Sequence, residues 1–242
     1  MTVPEPAALS PKAEQTRRAI VDSAMRLFRT KGYDKATMRS IAAEAGVSLG
    51  NAYYYFGSKE HLVQAFYDQL QAEHAVAAEK VLARDIRFDQ RLLGVLHAWM
   101  EVAAPHHEFA AQFFKNAADP RSPLSPFSPE SAPAREASIA VFQRLVEGSN
   151  AKPVATLRAD LPELLWLLQM GVVLFWVYDD SPGQRRSRLL IASIVPIVDR
   201  LVKLSRLPVV RTLVDDVVGL LRTVRSDGPG GEHANARTQA AD

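Results

Sequence analysis

Apolar residues recur along most of this chain at intervals of three and four. Ile20, Ala24, Leu27 and Phe28 stand at i, i+4, i+7 and i+8, and Leu62, Phe66 and Leu70 at i, i+4 and i+8, the spacing of one face of an α-helix. No stretch shows the strict alternation of a half-buried strand. Ser10 followed by Pro11 offers an N-cap and a first-turn proline for the first helix, and Gly32 ends it about twenty residues later. Thr37 and Ser48 each precede a short apolar pattern with Gly46 between them, which predicts short helices over 37–44 and 48–54 joined by a tight turn, the helix-turn-helix pattern. A long helix opens at Ser58 and runs to about 84, with Glu60 at its positive end.

Further helices are predicted over 88–104, 106–118, 134–149, 160–179, 185–205 and 209–224, the last with Val210, Leu213, Val214, Val217, Leu220 and Leu221 on one stripe. Residues 119–133 hold five prolines and read as a surface loop. No internal repeat emerges. Residues 1–10 and 226–242 carry no apolar stripe and are expected to be disordered. The fold class is therefore all-α, with a helix-turn-helix domain over 11–57 and a larger helical domain over 58–225.

Composition narrows the function. With 48% hydrophobic and 23% charged residues the 242-residue chain resembles ordinary folded proteins. The absence of cysteine excludes disulfides, thiolate metal sites and a cysteine nucleophile. No apolar segment opens the chain, which places it in the cytoplasm by expectation. The longest charge-free apolar run, Leu164 to Tyr178, has 15 residues, short of the roughly 18–20 that span a bilayer, so no membrane partner is expected. Net charge is only +2, yet residues 12–61 hold nine Lys or Arg against five acids, so the positive potential belongs to the N-terminal end.

That end also holds the most informative stretch, residues 36–61. The leading residues of the second helix of a helix-turn-helix point into the major groove, where base edges differ. Ser48, Leu49, Gly50 and Asn51 form a slim leading edge. Tyr53, Tyr54 and Tyr55 follow in a row, and three consecutive tyrosines cannot all face one core, so at least one hydroxyl lies outward, suited to a phosphate. Tyr55 and Phe56 are expected to pack beneath the helix. Asn51 can pair bidentately with adenine and Arg39 with guanine, each worth about 1–3 kcal/mol of discrimination. Lys59 adds a charge to the same surface.

The pattern Phe28-x-x-x-Gly32-Tyr33, Thr37-x-x-x-Ile41-Ala42-x-x-Ala45-Gly46-Val47-Ser48 and Tyr53-Tyr54-Tyr55-Phe56-x-Ser58-Lys59-Glu60-x-Leu62 resembles the DNA-binding domain of the TetR (tetracycline repressor) family of transcriptional regulators. The resemblance implies an all-α protein of nine or ten helices, a homodimer that binds double-stranded operator DNA in two successive major grooves, and a repressor released by a small-molecule effector. By position it implies that Thr37, Tyr54 and Lys59 contact phosphates, Tyr53 a phosphate or a thymine methyl, and Arg39, Ser48, Leu49, Gly50 and Asn51 base edges. Gly50 departs from the larger residues commoner at its place.

For the larger domain the resemblance works by helix order. The helices over 160–179 and 185–205 resemble those that form a four-helix bundle across a two-fold axis, with Leu190, Ile194, Ile197, Leu201 and Leu204 as the stripe. Trp99, Met100, Phe109, Phe113, Trp166 and Met170, with Phe114 and Phe175, are candidate ligand-binding residues of an apolar pocket. The few polar groups nearby, His97, His106, His107, Gln112 and Gln169, favour a mainly hydrophobic effector. No cofactor, catalytic residue or metal site is expected: there is no HExxH, no GxSxG elbow on a strand-to-helix turn, and the only Gly-rich run, Gly228 to Gly231, follows no strand. Two other readings stay open: a DNA-binding architectural or protein-recruiting member without an effector, and an enzyme or amphipathic membrane-binding protein.

Overall fold

The structure, a computed structural model, describes residues 10–84, 86–119 and 121–207, together with Asp216, Gly219 and Thr223; the side chains of residues 109, 112, 113, 115 and 116 are outside this set. Among the described residues every regular element is helical. The helix expected over 209–224 and the two termini expected to be disordered lie outside the described residues, apart from Ser10 and the three isolated positions.

Local chemistry sets the first three helices. Helix α1, Pro11–Lys31, begins where the Ser10 hydroxyl accepts from the Ala13 amide at 3.3 Å, and ends at Gly32, whose φ of +84° suits glycine. Helix α2, Met38–Glu44, opens with a reciprocal cap: Ser40 N–H donates to Thr37 Oγ1 at 3.2 Å and Thr37 N–H to Ser40 Oγ at 3.0 Å. At its end Gly46 takes φ +69°, Gly46 N–H bonds the Ala43 carbonyl and Val47 N–H reaches back to that of Ala42, a Schellman turn. Helix α3, Leu49–Tyr55, is capped by Ser48, which accepts from Asn51 N–H at 3.1 Å.

Helices α4 (Lys59–Leu82), α5 (Phe88–Ala103), α6 (His107–Ala117), α7 (Ala132–Glu147), α8 (Ala155–Val177) and α9 (Arg185–Leu204) follow. The chain divides into two units, one reaching Ala77 and including Ala98–Ser138, the other comprising Ala78–His97 and the residues from Ile139 onward. Helices α4, α5 and α7 contribute to both. The core of the first gathers Ile20, Ala24, Phe28, Ile41, Ala42, Ala52, Phe56, Leu62 and Phe66.

Leu124, from the loop after α6, joins that same core. Ser122-Pro123, Ser125-Pro126 and Ser128-Pro129 recur every three residues, a short repeat that hydrophobic periodicity does not register. The first two steps form turns with proline at the second position: Ser125 N–H bonds the Ser122 carbonyl at 3.0 Å and Ser128 N–H that of Ser125 at 2.9 Å. Ser131 Oγ donates to Gln64 Oε1 on α4 at 3.2 Å. The expected loop over 119–133 is too long by two residues, because Ala132 and Pro133 begin α7, where a first-turn proline needs no hydrogen-bond donor.

Two buried charges tie helix ends together in the second unit. The Arg91 guanidinium donates to the Leu82 carbonyl at 2.7 Å and to those of Arg144 and Leu145 at 3.1 and 3.0 Å, so one side chain on α5 serves the C-terminal ends of α4 and α7. A Cβ at position 148 would lie 2.5 Å from that guanidinium, so any residue but Gly148 would push Arg91 out of this arrangement. Asp179, between α8 and α9, accepts from the amide and hydroxyl of Ser181 and from the amide and hydroxyl of Ser187, at 2.6 to 3.0 Å. Burial works against its charge, but these four donors outweigh it and hold the carboxyl far below the usual carboxylate range.

Helix α8 starts five residues earlier than the predicted 160, so Pro162 lies in its interior and leaves the Arg158 carbonyl without its usual donor. Leu157 and Leu161 before it and Leu165 after it are buried, so the helix is packed on both sides of the break. At 23 residues, with a mean hydropathy of 1.4 over its most apolar stretch, α8 also exceeds the expected run and is long and apolar enough to cross a membrane. Its Leu157, Leu165, Trp166, Val172 and Trp176 are instead buried within the second unit, where α8 packs on α9.

Because the Asp179 carboxyl titrates lower when folded than when unfolded, its stabilisation is complete well above about pH 4 and declines as acid protonates it. Urea unfolding across pH 3 to 7 is expected to show Asp179→Asn about 2–4 kcal/mol less stable than wild type at neutral pH, with the gap narrowing in acid.

Candidate nucleic-acid interface

Helix α3 rests on one small residue. Ala52 is fully buried, Leu49 and Tyr55 pack partly against the core, and Phe56 closes it behind the helix, as its place after the tyrosine run implies. At about 100° per residue these positions share one side, while Gly50, Asn51, Tyr53 and Tyr54 span a continuous arc of about 160° on the other. All four are exposed, Tyr53 by 50% and Tyr54 by 79%. The Tyr54 ring meets Tyr55 edge to face at 5.2 Å between centroids, which props it upright on the surface. One tyrosine of the run therefore faces inward and two outward.

Around this arc the structure sets the rest of the predicted surface. Ser48 and Thr37 are exposed caps, their hydroxyls already engaged with amides of their own helices. Arg39 is exposed on the first turn of α2. Arg26 on α1 pairs with Glu44 on α2 at 3.3 Å, a surface bridge worth well under 1 kcal/mol that still orients the bracing helix.

Lys59 is the most constrained of the predicted contacts. Its ammonium donates to the Tyr33 carbonyl at 2.8 Å and sits 4.3 Å from the centre of the Tyr33 ring. That carbonyl takes one of its three donors. The Tyr33 hydroxyl donates to Glu60 at 2.8 Å. Burial and that carboxylate raise the tyrosine pKa; for Glu60, burial is outweighed by hydrogen bonds from Ser58, its own amide and Tyr33, which lower it. This Tyr33–Lys59–Glu60 cluster, invisible to helical periodicity because Tyr33 lies 26 residues before Lys59, fastens the start of α4 to the end of α1.

The candidate ligand residues fall in both units and are described within each. Met100 is buried and Trp99 half-buried in the first; Trp166 is buried and Met170 half-buried in the second. Phe109 and Phe113 belong to α6, with side chains outside the described set. Phe175 is exposed, and so are Leu174 beside it on α8, Tyr178 just past the end of α8, and Leu189, Ile197, Leu201 and Leu204 on α9. His106 lies edge-on to the Phe66 ring at 4.8 Å. Among the described residues no three His, Asp or Glu side chains assemble into a metal site.

Comparison with known proteins agrees with this geometry. Residues 20–66 match the model of bacterial regulatory proteins of the tetR family, and residues 91–220 that of the Tetracyclin repressor-like C-terminal domain. The HTH-type transcriptional regulator TtgR of Pseudomonas putida is 40% identical over 63 residues, 26% of this chain and 30% of that protein. BetI of Rhizobium meliloti, another HTH-type transcriptional regulator, is 44% identical over 70 residues, 28% and 34% respectively. The matched stretch thus spans about a third of these curated relatives. Among solved structures, a TetR transcriptional regulator from Nitrosomonas europaea aligns with a TM-score of 0.59 at 20% identity over 76% of this chain and 97% of that one. Thermus thermophilus FadR, a repressor solved with lauroyl-CoA, aligns at 0.56 and 21% over 74% and 93%. At such identities the structures establish the shared fold.

Because Ala52 fills its site completely, Ala52→Leu is expected to lift α3 from the core and destabilise the protein by about 1–3 kcal/mol in urea unfolding.

Proposed function

The chain belongs to the TetR family of bacterial transcriptional regulators, and from that premise we propose that it is a homodimeric repressor released from its operator by a small, mainly hydrophobic effector. The observation that carries the reading is the outward arc of α3, a continuous polar and aromatic surface on a helix fixed from behind by Ala52. Asn51 and Arg39 read base edges, with Ser48, Leu49 and Gly50 in close contact beside them. Thr37, Tyr53, Tyr54 and Lys59 hold phosphates and fix the register, while the nine basic residues of the segment supply the general attraction. On this reading the protein is a cytoplasmic regulator and not an enzyme.

The domains are 11–57 for DNA and 58–225 for effector binding and dimerisation. The exposed apolar residues of α8 and α9 support a dimer through the helices near 160–179 and 185–205: Leu174 and Phe175 on α8 and Leu189, Ile197, Leu201 and Leu204 on α9 are large apolar side chains that water covers poorly in a single chain. The effector is assigned to Trp99, Met100, Phe109, Phe113, Trp166 and Met170. It must bind the released arrangement more tightly than the operator-bound one, since equal affinity shifts nothing. Helix α4 begins directly after the reading helix and runs to Leu82, and is the transmitter.

Selection from random duplex DNA followed by titration over a salt series tests the reading. An enriched inverted repeat, bound as a dimer with affinity falling steeply as salt rises, is expected. Enrichment of no sequence would contradict it. Asn51→Ala and Arg39→Ala are each expected to lose about 1–3 kcal/mol on the enriched site and much less on random duplex. Unchanged discrimination would remove that residue from the readout. Sedimentation of Leu201→Asp is expected to show monomer, with operator affinity lost alongside.

A further inference from the structure

Two polar side chains inside the first unit serve no contact of the fold. Gln71 on α4 keeps its amide nitrogen away from water, and Ser138 on α7 is 4% exposed with its hydroxyl enclosed. Neither group bonds to anything among the described residues. A buried donor without an acceptor costs stability, so such a group calls for an explanation.

Their places along the two helices are matched. Ser131 Oγ, just before α7, donates to Gln64 Oε1 on α4 at 3.2 Å. Further on, Arg144 of α7 donates to Glu79 of α4 at 2.6 Å, so the two helices run in the same direction. Gln71 lies seven residues after Gln64, and Ser138 seven after Ser131. Seven residues make about two turns, roughly 10.5 Å along the axis, and return to within about 20° of the same face. Gln71 and Ser138 thus fall at one level on the faces that Gln64 and Ser131 occupy, but the first pair is bonded and the second is not.

Gln71 Nε2 can only donate, and the Ser138 hydroxyl has a proton to give; one carbonyl oxygen accepts both. Among its described residues this unit buries no Lys or Arg and a single imidazole, His74. A carboxylate would enter as a charge with no permanent counter-charge. We propose that Gln71 and Ser138 are the polar end of the effector site and grip a neutral carbonyl, that of a ketone, ester or amide on an otherwise apolar molecule. A ligand held there ties α4 to α7 two turns beyond the Gln64–Ser131 bond, on the helix that directly follows the reading helix.

The assignment deepens the effector reading above and rests on it, and its test separates the two. Ligand-observed NMR on the full chain compares acetophenone, the hydrocarbon cumene of the same shape, and benzoate, for wild type, Gln71→Met and Ser138→Ala, with thermal melting alongside. Wild type is expected to bind acetophenone at least about tenfold more tightly than either of the others. Carbonyl-labelled acetophenone is expected to show the downfield carbon shift of a hydrogen-bonded ketone. Each variant is expected to lose that preference and that shift, to keep its binding of cumene, and to melt at the wild-type temperature or above, since no group of the fold loses a partner. If one variant melts low, the other decides. If both melt several degrees low, the two groups hold the fold together and the assignment falls. If folded variants keep the preference, or wild type binds cumene or benzoate as well as acetophenone, the assignment falls while the effector reading stands. If wild type binds none of the three, the assignment and the effector reading fall together, with operator binding untouched.

Discussion

A helix of seven residues has no stability of its own in water, so the surface of α3 exists only because Ala52 is seated in the core of the first unit. An alanine anchor brings the helix close to α2. Ser48 at one end and Phe56 at the other fix where it starts and stops. The Schellman turn at Gly46 fixes its angle to α2. Which side chains point outward, and in what order around the arc, then follows from helical geometry alone.

The second unit solves a different problem with buried charge. Arg91 and Asp179 each sit where several unpaired backbone groups converge, one on carbonyls at helix C-terminal ends and the other on amides at the start of α9. Such groups stabilise only when nearly every donor or acceptor is matched, and removal of one partner is severe. Asp179 thereby ties the end of α8 to the start of α9, while Leu174, Phe175, Ile197, Leu201 and Leu204 stay exposed in the single chain.

Most of the architecture was legible in the sequence because caps and glycines are local signals. Ser10, Thr37, Gly46 and Ser48 mark the first three helices to within a residue or two, and the tyrosine run sorted itself as expected, Tyr55 inward and Tyr53 and Tyr54 outward. Prolines misled twice, since a proline alone does not show whether it breaks a helix: Pro133 sits in the first turn of α7, where no bond is lost, and Pro162 inside α8, where one is. The Tyr33–Lys59 contact, the Arg91 clamp and the insertion of Leu124 into the core join residues far apart in sequence, and periodicity carries no information about such pairs. Apolar content likewise identified Phe175 as pocket-like when it faces outward, because a stripe of large side chains looks the same whether the cover comes from its own chain or from another.

The arc of α3, presented twice by a symmetric dimer, is the surface proposed to meet DNA. Hydroxyl-radical footprinting of the protein on the duplex it enriches tests this most directly. Two equal protected segments, related by the two-fold axis of the site and one turn of the double helix apart on one face, about 10 base pairs, are predicted. A single protected segment, or uniform weak protection without symmetry, would contradict it.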